Sequence, residues 1–122
     1  MKTVLVIEDN EKNMKLFRDL LQFAGYETLE ALTGRSGLEL AVTRNPDLVL
    51  LDIQLPDIDG VAVLRGIREQ VGNSLKVLAV SASVMPDDLQ RILASGFDGF
   101  ITKPINIKGF AAAVREALED RA

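Results

Sequence analysis

Acidic side chains follow two short apolar runs of this sequence, and their placement suggests metal and phosphate chemistry. Glu8 and Asp9 come directly after Thr3–Ile7, and Asp52 comes directly after Leu48–Leu51. If the fold brings them together, two carboxylates about 5 Å apart repel by about 3 kcal/mol at an effective dielectric constant of about 20. A hard dication offsets such repulsion, and Mg²⁺ binds through one or two carboxylates and pairs with phosphate oxygens. The acids therefore favour a Mg²⁺ site.

A lysine and a serine occupy equivalent places after two further apolar runs. Lys103 follows Gly99–Thr102, and Ser81 follows Lys76–Val80. An aspartate beside a metal, with a lysine to hold departing oxygens, is the equipment for an aspartyl-phosphate intermediate. The set therefore favours phosphoryl chemistry on an aspartate.

Each of these residues also has an ordinary structural interpretation. An Asp-Asn pair that begins at Asp9 often only caps a helix, and Asp52 before Ile53-Gln54-Leu55-Pro56 could be a turn residue. Lys103 before a proline is typical of a surface side chain, and Ser81 alone carries almost no signal. The observation that favours a site is that all of these residues stand at the ends of four different predicted strands.

Short apolar runs that alternate with segments of helical periodicity must position these residues. The predicted strands are Thr3–Ile7, Glu27–Ala31, Leu48–Leu51, Lys76–Val80 and Gly99–Thr102, and the predicted helices are Glu11–Ala24, Thr33 as N-cap to about Asn45, Val61–Gln70, Pro86–Ala94 and Ile107–Glu119. Gly25 is expected to end the first helix in a left-handed conformation, and Pro46 to close the second.

This alternation predicts a doubly wound, flavodoxin-like α/β fold. Five parallel strands in the order 2-1-3-4-5 would form the sheet, and five helices would cover both of its faces. In this topology the ligand site lies at the carboxyl ends of strands 1 and 3, where the acids stand. Residues 1–122 are expected to form one domain.

Composition excludes several other kinds of chemistry. The chain has no cysteine, which excludes disulfides, and no histidine, which excludes Ser-His-Asp catalysis and most zinc sites. Its 14 basic residues are scattered and its net charge is −4, which argues against a nucleic-acid partner. No apolar run approaches the roughly 18 residues that span a bilayer, and the start lacks a signal-peptide pattern. We therefore expect no membrane association, and a cytoplasmic location is favoured.

At the same residues the sequence resembles the receiver domains of two-component response regulators, over nearly the whole chain. The matching motifs are Val6-Ile7-Glu8-Asp9-Asn10, Leu50-Leu51-Asp52-Ile53-Gln54-Leu55-Pro56-Asp57-Ile58-Asp59-Gly60, Val80-Ser81-Ala82 and Thr102-Lys103-Pro104. The stretch from Glu8 to Phe17 looks most like the DivK type, which are stand-alone regulators of bacterial cell division and polarity.

The resemblance implies a role for each acid. Asp52 would be the phosphoacceptor. Asp9, Asp52 and the backbone carbonyl of Gln54 would hold Mg²⁺, and Glu8 would act mostly through a metal-bound water. Gln54 and Ser83 also lie where receivers tune the access of water to the phosphoryl group.

Roles for the remaining residues also follow from the resemblance. Lys103 would pair with a phosphoryl oxygen, and its bond to Pro104 would be cis, an isomer that proline tolerates. Ser81 would swing to hydrogen-bond the phosphoryl group, and Phe100 would be the aromatic ring that follows it inward. Position 81 is Ser rather than the commoner Thr, and position 100 is Phe rather than Tyr, so the ring loses a hydrogen-bonding group.

The implied function is a phosphorelay switch that catalyses only its own phosphorylation and hydrolysis. A histidine kinase or a histidine phosphotransfer protein would supply the phosphoryl group, and the output would be contact with a downstream protein. Since the chain ends at Ala122, directly after the last predicted helix, no DNA-binding output domain is expected, and a monomer is favoured.

Three alternatives stand beside this interpretation. Receivers inside hybrid histidine kinases share much of the pattern. An aspartate-nucleophile phosphohydrolase uses the same nucleophile, but dehalogenase-type phosphatases carry an acid two residues later, where this chain has Gln54. Flavin binding on the same fold is disfavoured by the single Tyr, the absence of Trp and the three acids.

Overall fold

The computed structural model describes residues 1–82 and 85–119 of the chain. Strands and helices alternate along it. In chain order they are β1 (Thr3–Ile7), α1 (Glu11–Phe23), β2 (Glu27–Ala31), α2 (Gly34–Thr43), β3 (Leu48–Asp52), α3 (Gly60–Val71), β4 (Lys76–Ser81), α4 (Pro86–Ala94), β5 (Gly99–Thr102) and α5 (Ile107–Glu119). The strands form one parallel sheet in the order β2-β1-β3-β4-β5, which confirms the predicted fold.

The first two helices end slightly earlier than predicted. Helix α1 ends at Phe23, because Ala24 is its C-cap and Gly25 adopts a left-handed φ of 94°. Helix α2 ends at Thr43 rather than near Asn45, because Asn45 has already left the helix with a φ of 47°. The polar caps agree with the sequence, since the predicted Thr33 cap accepts a hydrogen bond from the backbone of the first turn.

Three other elements are longer than predicted. Helix α3 spans Gly60–Val71 rather than Val61–Gln70, because the side chain of Asp59 caps it. Strands β3 and β4 each gain one residue, so that Asp52 and Ser81 belong to the strands themselves. In both cases the pairing with the neighbouring strand continues through the added residue.

Successive residues of the central strands pack on opposite faces of the sheet, as the pleat requires. The even-numbered residues of β1, β3 and β4 pack with α1 and α5, where the rings of Phe17 and Phe110 stack with centroids 5.5 Å apart. The odd-numbered residues pack with α2, α3 and α4. All three strands are buried on both faces, which explains their nearly unbroken apolar sequences.

This alternation also directs the polar residues at the strand ends. Glu8 and Asp52 continue the even-numbered series. Lys103 lies two residues after Ile101, which packs on the same face of the sheet as that series. Ser81 continues the odd-numbered series of β4 and faces the helices α3 and α4. No helix in the described ranges is long and apolar enough to cross a membrane.

Candidate functional site

The carboxylates of Glu8, Asp9 and Asp52 converge at the carboxyl edge of the sheet. One oxygen from each lies within 4.8 Å of the others. Glu8 extends the line of β1 by donating its backbone N–H to the carbonyl of Ala31 at 3.0 Å, and Asp52 ends β3. Glu8 is 1% exposed and Asp52 is 5% exposed, whereas Asp9 faces solvent. Topology therefore brings together the three acids that the sequence placed after two strands.

The ammonium group of Lys103 lies between two of these acids. Its Nζ is 2.9 Å from Glu8 Oε1 and 3.1 Å from Asp52 Oδ2. The lysine is held by a hydrogen bond from its backbone N–H to the carbonyl of Ser81 at 2.8 Å, and the Lys103–Pro104 peptide bond is cis. Burial alone would lower the pKa of Lys103, but pairing with Glu8 and Asp52 raises this pKa, so the lysine stays charged.

The site holds more negative charge than this one lysine balances. Burial raises the pKa of Glu8, and the neighbouring Asp52 raises it further, while Lys103 opposes both. Glu8 Oε2 accepts a hydrogen bond from Asn10 N at 3.3 Å, and Oε1 lies 2.9 Å from Lys103 Nζ with no further partner among the described residues. The charge of Lys103 is thus divided between two buried carboxylates, and burying carboxylates without full compensation costs free energy.

These acids fit a hard divalent cation. Glu8, Asp9 and Asp52 supply the oxygen ligands that Mg²⁺ takes, and the ammonium group of Lys103 is shared between Glu8 and Asp52, so it does not balance all three carboxylates. Gln54 is an exposed residue whose backbone N–H donates to Asp52 Oδ1 at 2.9 Å, so its peptide lies beside the acids. The arrangement can bind a cation and a phosphoryl group on the same carboxylate.

Asp9 is not the cap of the following helix, which removes its ordinary interpretation. The N-cap of α1 is Asn10, whose side chain accepts a hydrogen bond from Asn13 N at 3.0 Å. The side chain of Asn10 therefore caps the helix, and the exposed carboxylate of Asp9 is left at the edge of the acid cluster.

Ser81 and Phe100 lie on the opposite side of the sheet edge from the acids. Ser81 is buried at the end of β4 and lines a groove of about 350 Å³, together with Ile53, Gln54 and residues of α4 such as Arg91. Phe100 is half-buried in β5 and packs against the apolar residues under α2, α3 and α4. Ser83 lies outside the described residues.

Two residues between Asp52 and the first turn of α3 have roles that the sequence did not reveal. Asp57 accepts hydrogen bonds from Gly34 N and Arg35 N at 2.8 and 3.0 Å, which ties the loop to the start of α2. A Cβ on Gly60 would lie 2.7 Å from Ile53 Cα, so the loop closes tightly where it returns to α3. In the sequence, Asp57 is visible only as a polar residue of the Pro-Asp-Ile-Asp-Gly segment. Its hydrogen-bond partners Gly34 and Arg35 lie more than twenty residues earlier in the chain, so the sequence does not indicate the contact.

Comparison with known proteins places the chain in a family. The model of the response regulator receiver domain matches residues 4–115, and the chain belongs to that family. It is therefore a phosphorylatable switch of two-component signalling and not a classical enzyme, and the phosphohydrolase alternative is not favoured.

Particular relatives sharpen this assignment. The chain is 41% identical over 120 residues to the polar-differentiation response regulator DivK of Brucella ovis, covering 98% of each chain. Among solved structures it resembles the Francisella response regulator 1452 receiver domain, with a TM-score of 0.93, 28% identity and complete coverage of both chains.

A third relative shares the fold. The receiver domain of a sensor histidine kinase from Pseudomonas aeruginosa PAO1 matches with a TM-score of 0.89 and 24% identity, over 97% of this chain and 98% of that one. That receiver holds a magnesium ion in its active-site cleft. The resemblance to the DivK type, seen first in the motifs, is confirmed by these comparisons.

Proposed function

We propose that Asp52 accepts the phosphoryl group. In the transfer, an oxygen of Asp52 attacks phosphorus, the P–N bond of a phosphohistidine breaks, and the bonding pair stays on the departing imidazole nitrogen. The observation that carries this proposal is the position of Lys103, whose Nζ lies 3.1 Å from Asp52 Oδ2 at the only edge of the sheet where the described acids converge.

The other acids hold the cation that this transfer needs. Asp9, Asp52 and the backbone carbonyl of Gln54 are the proposed ligands of Mg²⁺, and Glu8 would act mostly through a metal-bound water. When bound, Mg²⁺ neutralises charge on the carboxylates and on the phosphoryl oxygens. The match to a receiver that holds magnesium in its cleft, and the convergence of three carboxylates around the single charge of Lys103, support this assignment.

Lys103 and Ser81 complete the site in this proposal. Lys103 exchanges part of its contact with Asp52 for a phosphoryl oxygen, since its ammonium group carries three donors and stays charged. Ser81 donates its hydroxyl to another phosphoryl oxygen. In the sheet order β4 lies next to β3 and β5 lies next to β4, so Ser81 and Lys103 both stand on the same side of Asp52.

Phosphorylation would reach a partner protein through Ser81 and Phe100. Phe100 packs, half-buried, against the core beneath α4, so movement of Ser81 toward the phosphoryl group leaves room for the ring to move inward. Since Phe lacks the tyrosine hydroxyl that can bond water in the outward position, it favours the inward position. Phe100→Tyr should therefore lower partner binding by the unphosphorylated protein.

The likeness to DivK sets the biological context of the proposal. We assign the chain to a cytoplasmic phosphorelay that controls bacterial cell division or polarity, with a histidine kinase or phosphotransfer protein as donor and a protein as downstream target. Self-phosphorylation from small donors and self-hydrolysis would be its only catalysis.

Phosphotransfer from purified histidine kinases tests the function as a whole. Each kinase is phosphorylated with labelled ATP, mixed with wild-type protein or Asp52→Asn, and the label on the receiver is followed in time with Mg²⁺ present. We expect rapid transfer from one kinase to wild type and none to Asp52→Asn. Equal labelling of both proteins would contradict the role of Asp52.

A further inference from the structure

The loop of residues 53–59 leads from Asp52 to α3 and is closed at its neck. Gly60 N donates to the carbonyl oxygen of Ile53 at 3.1 Å. A Cβ on Gly60 would lie 2.7 Å from Ile53 Cα, a distance that real Cβ atoms do not reach, so glycine is required for this approach. The neck fixes the two ends of the loop but does not by itself fix its tip.

The tip is held by the carboxylate of Asp57. Its two oxygens accept the backbone N–H groups of Gly34 and Arg35, the first two residues of α2, at 2.8 and 3.0 Å. These hydrogen bonds, the one from Gly34 first, lower the pKa of Asp57, so the carboxylate is ionised at neutral pH. A negative charge at a helix N-terminus also faces the positive end of the helix dipole.

Helix α2 packs closely against two segments that adjoin the acidic site, the end of β1 and the loop after β3. A Cβ on Gly37 would lie 2.6 Å from Ile7 Cγ1, and Ile7 is the residue before Glu8. A Cβ on Gly34 would lie 2.6 Å from Ile58 Cγ1, in the loop itself. The helix therefore contacts the end of β1 on one side and the loop after β3 on the other.

We propose that Asp57 is a positioning residue for the acidic site. By tying the loop to α2, it sets where the backbone of Gln54 lies relative to Glu8 and Asp52. The N–H of Gln54 donates to Asp52 Oδ1 at 2.9 Å, so displacement of the loop changes the orientation of the phosphoacceptor itself. The part of this inference that concerns the metal rests on the proposed function, in which the carbonyl of Gln54 is a Mg²⁺ ligand.

The matched control is Thr33, the N-cap of the same helix. Thr33 Oγ1 accepts a hydrogen bond from Ser36 N at 3.1 Å, and this bond does not involve the loop. Thr33→Ala and Asp57→Ala each remove one capping side chain from α2, but only Asp57→Ala releases the loop. A purely structural role for Asp57 predicts that both variants behave alike.

The first measurement is the Mg²⁺ dissociation constant by titration calorimetry. Asp57→Ala should raise it roughly ten-fold and Thr33→Ala at most about two-fold, the scale known for residues that support metal ligands without binding the metal. Asp57→Asn keeps one of the two acceptor oxygens, so its Mg²⁺ dissociation constant should lie between those of wild type and Asp57→Ala. If Asp57→Ala does not fold, Asp57→Asn takes its place in the comparison. An unchanged constant in the Asp57 variants, or an equal rise in Thr33→Ala, would overturn the proposal.

The second measurement does not depend on the metal. In Mg²⁺-free protein, the backbone amide of Gln54 should exchange its hydrogen faster in Asp57→Ala than in wild type and Thr33→Ala. Equal exchange rates in all three proteins would reject the positioning role. If wild type binds no Mg²⁺ while Gln54 exchange responds to Asp57, the proposed metal site fails and the positioning role stands.

Discussion

Two clusters of charge join elements at opposite edges of the sheet, and they differ in how completely their polar atoms are paired. At the amino edge, Arg68 of α3 donates to the carbonyls of Leu75 and Gly96 at 2.5 and 3.2 Å and to Asp98 Oδ2 at 3.0 Å. The same carboxylate oxygen of Asp98 accepts Val77 N at 2.8 Å. Each charge in this cluster meets partners of opposite polarity.

The carboxyl edge is built differently. There Lys103 is shared by Glu8 and Asp52, Asp9 stands beside them, and Glu8 Oε1 has no partner other than that lysine among the described residues. The amino-edge cluster stabilises the fold as it is, whereas the carboxyl-edge cluster carries an excess of negative charge that a bound cation can relieve. The comparison indicates that incomplete pairing, more than charge itself, distinguishes a reactive cluster from a structural one.

Loss of Arg68 should have the largest effect on stability. Arg68→Ala leaves the carbonyls of Leu75 and Gly96 and the carboxylate of Asp98 without their charged donor, and we expect the free energy of unfolding to fall by about 3 kcal/mol. Urea unfolding measures the loss. A change smaller than about 0.5 kcal/mol would show that this cluster does not stabilise the fold.

Mg²⁺ should stabilise the protein through the carboxyl edge alone. At a Mg²⁺ concentration ten times the dissociation constant, mass action raises the free energy of unfolding by about 1.4 kcal/mol. Asp9→Asn should remove most of that gain because it removes a ligand, whereas Asp98→Asn should keep it. The measurement is the melting temperature with and without Mg²⁺. A wild-type melting temperature that does not respond to millimolar Mg²⁺ would argue against the metal site.

The same substitution at the two edges should give opposite results. Asp98→Asn weakens a satisfied ion pair with Arg68, and we expect a loss of about 1 kcal/mol. Asp52→Asn removes one of two buried like charges that share Lys103, so stability in Mg²⁺-free buffer should stay constant or rise. Chemical unfolding of both variants measures the difference. Equal losses would mean that the two clusters are energetically alike.

The smallest expected effect is a pH dependence of the free energy of unfolding that arises from Glu8. Burial, and then the neighbouring Asp52, raise the pKa of Glu8 in the folded state above its usual value of 4.5. Glu8 therefore contributes stability when the pH is below 4.5, and this contribution is lost as the pH rises through the pKa of the folded state. Glu8→Gln imitates the protonated form. In Mg²⁺-free buffer the variant should therefore be more stable than wild type at pH 7, and the two should converge as pH falls toward 4.5. A variant that is less stable at pH 7 would reverse the assigned sign.

Sequence reasoning found the carboxyl-edge site but not the amino-edge cluster, for a physical reason. Glu8, Asp52 and Lys103 follow strands directly, so the strand order and the alternation of side chains determine where they meet. Arg68 stands within a helix, and its partner Asp98 lies in a loop 30 residues away, where no periodicity fixes the approach. The pairing could be seen only after the loops were placed.

The loop after Asp52 repeats this lesson. Its Pro-Asp-Ile-Asp-Gly sequence predicts a loop, and the chain bends at residues 56–58 before α3 begins. The contact of Asp57 with the backbone of Gly34 depends on how closely α2 packs on β1, which is a property of tertiary packing. Helix ends were uncertain by one or two residues for a related reason, since Asp59 and Asn45 decide them through local conformation.

The most direct test of the central claim is the intact mass of the protein after reaction with a small acyl phosphate. Wild type and Asp98→Asn should each gain one phosphoryl group when Mg²⁺ is present and none when it is chelated. Asp52→Asn should gain none under either condition, because its amide lacks the nucleophilic oxygen. Undiminished phosphorylation of Asp52→Asn, or equal phosphorylation of wild type without Mg²⁺, would contradict a Mg²⁺-dependent phosphoryl site at Asp52.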